Sequence, residues 1–116
     1  MMQAGLQILE YPDVSDKELR EAMMAGMRVI NLQVALSLEC EQPLLRICMI
    51  DAKLRAVHQV FDSNPKVPMW LGKEASSEVY HTSWLIAVDT EPEYIQQWVL
   101  LMQDVDQVKI TEYIYQ

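Results

Sequence analysis

The side chains that could carry chemistry in this chain are few and scattered. His58 and His81 are the only histidines, and neither has a Ser, Cys or carboxylate beside it in a catalytic pattern. Cys40 and Cys48 are separated by a spacing that suits neither a zinc site nor a redox pair, so two ordinary thiols are expected. Two acidic groups, Asp89 with Glu91 and Glu93, and Asp104 with Asp106, bracket a helical stretch of about thirteen residues, or about 20 Å at 1.5 Å per residue. They cannot share an ion, and neither alone matches a calcium loop or a carboxylate–histidine site. Gly5, Gly26 and Gly72 are too dispersed to build a phosphate-binding loop. No metal and no cofactor are expected, and the residues lend no support to an enzyme.

Other features point to recognition. A long connection from Asn64 to Ser77 carries Met69, Trp70 and Leu71, an apolar anchor of the kind that interfaces favour. In the competing reading, Trp70 folds back over the core as a plug. The chain has 17 acids and 9 bases, and the excess is uneven. Residues 1–73 are near neutral, whereas beyond them every charge but Lys109 is acidic. Such a surface disfavours direct contact with nucleic acid, which requires cations against phosphate, and suits a basic protein partner. Solubility is the simpler explanation for the same acids. Asp104 stands unfavourably at the negative end of a helix, where a partner or a turn hydrogen bond would explain it. Met69, Trp70, Leu71, Asp104 and Asp106 are therefore the expected partner-binding residues.

These residues must be positioned by the surrounding elements. Val79 to Val88 alternates and is rich in aromatic and β-branched residues, which predicts a central strand covered on both faces. Thr90-Glu91-Pro92-Glu93 reads as a capping box with Thr90 as N-cap. Ile95, Trp98, Val99 and Met102 then make one helical stripe. Gln107 to Tyr115 alternates again, and Glu112 breaks its inner pattern, as at a sheet edge. This β-α-β unit allows parallel strands, with or without another strand between them.

Earlier in the chain, Leu6 to Tyr11 predicts a short strand. Ser15 and Glu18 form a second capping box, so a helix is expected to start at Asp16. Its end is ambiguous. Leu19, Met23, Met27, Ile30, Val34 and Leu38 continue one helical stripe, and good helix formers favour a long helix. The alternative closes the helix at Gly26 and makes 28–39 a strand, which would bring the class nearer α/β. A further helix is expected from Pro43, with Leu44, Ile47, Ile50, Leu54, Val57 and Phe61 on its apolar face, ending at Asp62-Ser63-Asn64-Pro65.

Pro92-Glu93-Tyr94, Trp98 and Gln103-Asp104, after His81-Thr82, resemble the end of the acidic phage inhibitor of uracil-DNA glycosylase. That family has strand where the spacing here is helical, and its Glu-Ser-Ile stretch is absent, so no residue role is carried over.

The expected fold is α+β: one domain over residues 1–116, with a single layer of three to four strands packed against two or three helices and a C-terminal β-α-β unit. No apolar run is long enough to cross a bilayer, and the start lacks the basic and apolar segments of a signal peptide. Cytoplasmic residence without membrane contact is expected. The expected function is a non-catalytic, protein-binding factor of inhibitor, immunity or phage accessory type. A homo-oligomeric assembly protein, most simply a homodimer, is the alternative, followed by a small-molecule enzyme or sensor.

Overall fold

The computed structural model describes residues 11–67 and 80–113. In chain order these form α1 (Asp16–Met24), β1 (Arg28–Leu36), α2 (Pro43–Val57), β2 (Gln59–Asn64), β3 (His81–Val88), α3 (Pro92–Leu100) and β4 (Val105–Glu112). The strands make one sheet in the order β2-β3-β1-β4, with every neighbouring pair antiparallel. Both β3 and β4 run opposite to β1, so they are parallel to one another with β1 between them. The pattern from β1 onward is β-α-β-β-α-β, a split β-α-β arrangement. The class is α+β, as the residue pattern predicts.

Antiparallel pairing sets which side chains meet. On one face, Ile30, Leu32, Val34 and Leu36 of β1 join Trp84, Ile86 and Val88 of β3 beneath α2 and α3. From above, α2 contributes Ile47, Ile50 and Leu54, while α3 contributes Ile95 and Val99. On the other face, Val29, Leu85 and Ala87 are covered by α1 through Leu19 and Ala22, with Tyr11, Val14 and Tyr113. β3 is central and buried at every residue after His81. β4 is an edge strand, as the placement of Glu112 suggests.

The start of α1 agrees with its sequence signature. The Ser15 hydroxyl accepts from the Glu18 amide at 3.2 Å, and the Glu18 carboxylate accepts from the Ser15 amide at 3.0 Å. Its end overturns the long-helix expectation. The helix stops at Met24, and 28–36 is the strand β1. Gly26 takes a φ of +89°, the Met27 amide donates to the Ala22 carbonyl at 3.0 Å, and the Gly26 amide donates to that of Met23 at 3.0 Å. This pair of bonds is the Schellman closure, which requires a left-handed residue and so favours glycine. Beyond it, the period-two pattern wins because β1 gains a ladder partner on each side, which a helix at this position could not offer.

The second helix is also shorter than expected. It ends at Val57, with His58 as C-cap, and the chain then turns into β2. Val57 continues the apolar spacing but is 63% exposed. Phe61 sits at a register shift in β2 and packs with the α1 layer, on the opposite side of the sheet from the helical stripe. At α3, the N-cap is Glu91 rather than Thr90, with Pro92 at the first helical position and no side-chain capping bond. The expected strand before Tyr11 and the Met69-Trp70-Leu71 segment lie outside the described residues.

Gly26→Ala tests the closure of α1. An added Cβ would meet open space, so the cost is conformational rather than steric. A loss of about 1 kcal/mol is expected from urea denaturation, with the fold retained. An unchanged midpoint would show that the left-handed closure is not needed.

Candidate protein-docking surface

Asp104 adopts a φ of +68°, in the left-handed region where Asp is better tolerated than most residues. This conformation turns the chain from α3 into β4 and aims the residue inward. The Asp104 carbonyl accepts from the Ser37 amide at 2.8 Å. Its carboxylate accepts from Cys40 Sγ at 3.5 Å and stands 3.3 Å from Arg46 Nε. That last contact is an ion pair without hydrogen-bond geometry, so the buried Nε is compensated in charge but not in direction. The dipole conflict is thus resolved within the chain. Asp104 holds together three segments: the loop after β1, the first turn of α2 and the turn after α3.

The segments so joined expose apolar side chains. Leu38 in the loop is 79% exposed, Leu101 in the turn 86%, and Leu45 on the first turn of α2 53%. Met49 lies one turn beyond Leu45 and accepts from Arg46 Nη1 at 3.6 Å. Between the segments is a hollow of about 400 Å³ walled by Glu39, Glu41, Gln42, Leu45 and Gln103, with Cys40 and the paired Arg46 and Asp104. Asp106 is exposed two residues further on, in β4. Exposed apolar side chains therefore stand on the same segments that wall a polar depression, and Leu45 belongs to both.

Of the expected binding residues, Asp104 is tied internally and Asp106 is exposed on β4. Leu38, Leu45, Met49 and Leu101, exposed in the fold, are not among those expected from the sequence. A signal for two of them existed, because Leu45 and Met49 fall off the apolar stripe of α2 and have no buried face to serve.

The other chemical candidates lie elsewhere. His58 caps α2 and meets Trp98 edge-on, with ring centroids 6.1 Å apart. Burial lowers its pKa, and Asp89 opposes this more weakly. His81 is exposed at the start of β3. Cys40 and Cys48 are free thiols, and burial, followed by the charge of Asp51, raises the pKa of Cys48. Glu91 and Glu112 both engage Arg28, at 2.9 Å and 3.1 Å. Among the described residues, no group of three His, Cys, Asp or Glu could hold a metal ion. None of the described helices is long and apolar enough to cross a membrane.

Two measurements check these assignments. Asp104→Asn keeps a residue that tolerates the left-handed turn but leaves Arg46 uncompensated, so a loss of about 1–2 kcal/mol in urea denaturation is expected. For His58, a lowered pKa means the folded state binds fewer protons than the unfolded state. Its stability contribution is full above about pH 6.5 and is lost as pH falls through the lower folded value. His58→Gln should therefore flatten the fall in melting temperature between neutral and mildly acidic pH, and an unchanged slope would remove His58 from the pH response.

No family model matches the chain, and no curated protein matches it. Among solved structures, it is similar to the P2 domain of the chemotaxis kinase CheA in complex with the response regulator CheY, from Thermotoga maritima. The TM-score is 0.63 at 18% sequence identity, covering 75% of this chain and 99% of that one. At that identity the likeness establishes a shared fold.

Proposed function

We propose that this chain is a protein-binding module that acts without catalysis, docking its partner on the surface organised by Asp104. The observation that carries this reading is the exposure of Leu38, Leu45, Met49 and Leu101 on segments joined through Asp104. Isolated exposed leucines are ordinary, whereas several on segments joined through one residue favour an interface. Support also comes from the similar fold, which belongs to a domain solved in complex with a response regulator. The surplus of acids over bases, with Glu39, Glu41 and Asp106 at this surface, favours a basic partner. An inhibitor, immunity-type or phage accessory role is the finer form of the reading. Met69, Trp70 and Leu71 would add a second apolar contact in the same role.

The test is a tagged pull-down at low and high salt, with mass spectrometry of the eluate and light scattering on the purified chain. A stoichiometric basic partner, recovered at low salt and lost with the double variant Leu45→Asp, Leu101→Asp, is the expected result. Neutralising Asp106 and Glu39 together should weaken capture and reduce its salt dependence. Recovery of the bait alone, with a concentration-dependent dimer mass that the double variant abolishes, would replace the partner with a second copy. A partner retained by the double variant would move the docking site off this surface.

A further inference from the structure

The face of the sheet that packs on α1 changes character along its strands. Val29, Leu85 and Ala87 at one end are buried under the helix. At the border, the Tyr11 hydroxyl is hydrogen-bonded to Asn31 Oδ1 at 2.6 Å and to Ser83 Oγ at 2.8 Å. Beyond that border, the register sets two rows of side chains across three strands: Lys109, Gln33 and Ser83, then Gln107, Ala35 and His81. Strand spacing makes this field about 10 Å wide, with the rows about 7 Å apart. Ala35 stands at the middle of the second row, and its small side chain leaves the floor low between His81 and Gln107. A hollow of about 360 Å³ results, and none of the described residues lining it is an acid.

The chemistry of this hollow is unlike that of the rest of the protein. The chain has 17 acids and 9 bases, and Lys109 is the only base after residue 73. Arg20, Arg28, Arg46, Arg55 and Lys66 each pair with a carboxylate, whereas Lys17 and Lys53, on helices, have no salt bridge among the described residues. Lys109 has no such partner among the described residues. It stands on the ridge between this hollow and another lined by Arg28, Glu93 and Glu112, where Arg28 and Glu112 already satisfy each other. Two carboxamides, an imidazole and an ammonium group thus line one small, half-open space and can supply donors of hydrogen bonds. The backbone that carries them is fixed by the strand ladder and by Tyr11, so the ordering cost of binding falls on the exposed side chains alone.

We infer that this hollow binds a small oxyanion, a carboxylate or phosphate group of a metabolite-sized ligand, through Lys109, Gln33, Gln107 and His81. Charge-assisted hydrogen bonds to such a group are about twice as strong as neutral ones, and the ligand's remaining oxygens match the two carboxamides. The site lies on the opposite side of the sheet from α2 and α3 and does not depend on the docking surface.

The experiment is a titration of the 15N-labelled chain with inorganic phosphate and, separately, with citrate, at constant ionic strength. Saturable shifts confined to the backbone and side-chain amides of residues 33, 35, 81, 83, 107 and 109 are expected. The tighter of the two ligands identifies the source as phosphate or carboxylate. Lys109→Gln should weaken binding about tenfold or more, the loss of one hydrogen bond to a charged group. Ala35→Leu, which fills the hollow without touching the core, should abolish the shifts while the spectrum stays dispersed. Shifts spread over every basic side chain would mean ionic screening only and would overturn the site. So would the absence of saturable shifts with both ligands, or an affinity unchanged in both variants.

Discussion

The contact between Trp84 and Asp51 joins the two layers of the molecule. Trp84 is fully buried at the middle of the central strand β3, and its indole Nε1 donates to Asp51 Oδ1 at 2.9 Å. Burying an indole N–H without an acceptor, or a carboxylate without donors, is costly, so each group requires the other. Arg55 completes the carboxylate, with Nε at 3.1 Å and 2.9 Å from its two oxygens. The bond fixes the rotation of α2 over the sheet. Ile47, Ile50 and Leu54 are thereby turned inward and Leu45 and Met49 outward, so the apolar set at the end of the helix follows from a polar contact near its middle.

The two faces of the sheet serve different purposes on the same strands. Facing α2 and α3, β1 and β3 present almost only aliphatic and aromatic residues, and burial there supplies most of the driving force for folding. The opposite face is divided, with its apolar half under α1 and its polar half left to small and hydrogen-bonding residues. Because alternate residues of a strand point to opposite sides, both patterns are written into one stretch without conflict. Arg28 at the start of β1, held by Glu91 and Glu112, ties the strand to the turn before α3 and to the edge strand.

Much of this architecture is legible in the residues alone. The capping box at Ser15, the alternation in β3 and the edge character of β4 follow from local rules that the folded chain obeys. Where local rules compete, the sequence is silent. The segment 28–36 satisfies both helical and strand spacing, and the decision rests on ladder partners more than forty residues away at β3 and β4. Phe61 extends a helical stripe that the chain has already left. The proposed docking surface is legible only in part, because a leucine off a helical stripe signals exposure but not which other segments will stand beside it. Asp104 draws attention through its clash with the helix dipole, and its answer in Arg46 depends on the loop that returns from β1. The polar hollow could not be foreseen, since it depends on β1, β3 and β4 lying side by side in one register.

The place of β1 in the sheet also governs how the molecule can be assembled. The strand is formed early in the sequence, yet its two neighbours are β3 and β4, and the last of these comes from the far end of the chain. Pairings of such long sequence separation must pay for loop closure before they return any stability, which places this topology among slower-folding ones than a helical bundle of equal size. Without β4, one edge of the largely aliphatic β1 would be left unpaired, the kind of edge that recruits foreign strands. The final strand therefore acts as the closing member of the sheet, and its charged Lys109 and Glu112 leave the finished molecule with an edge ill suited to further growth.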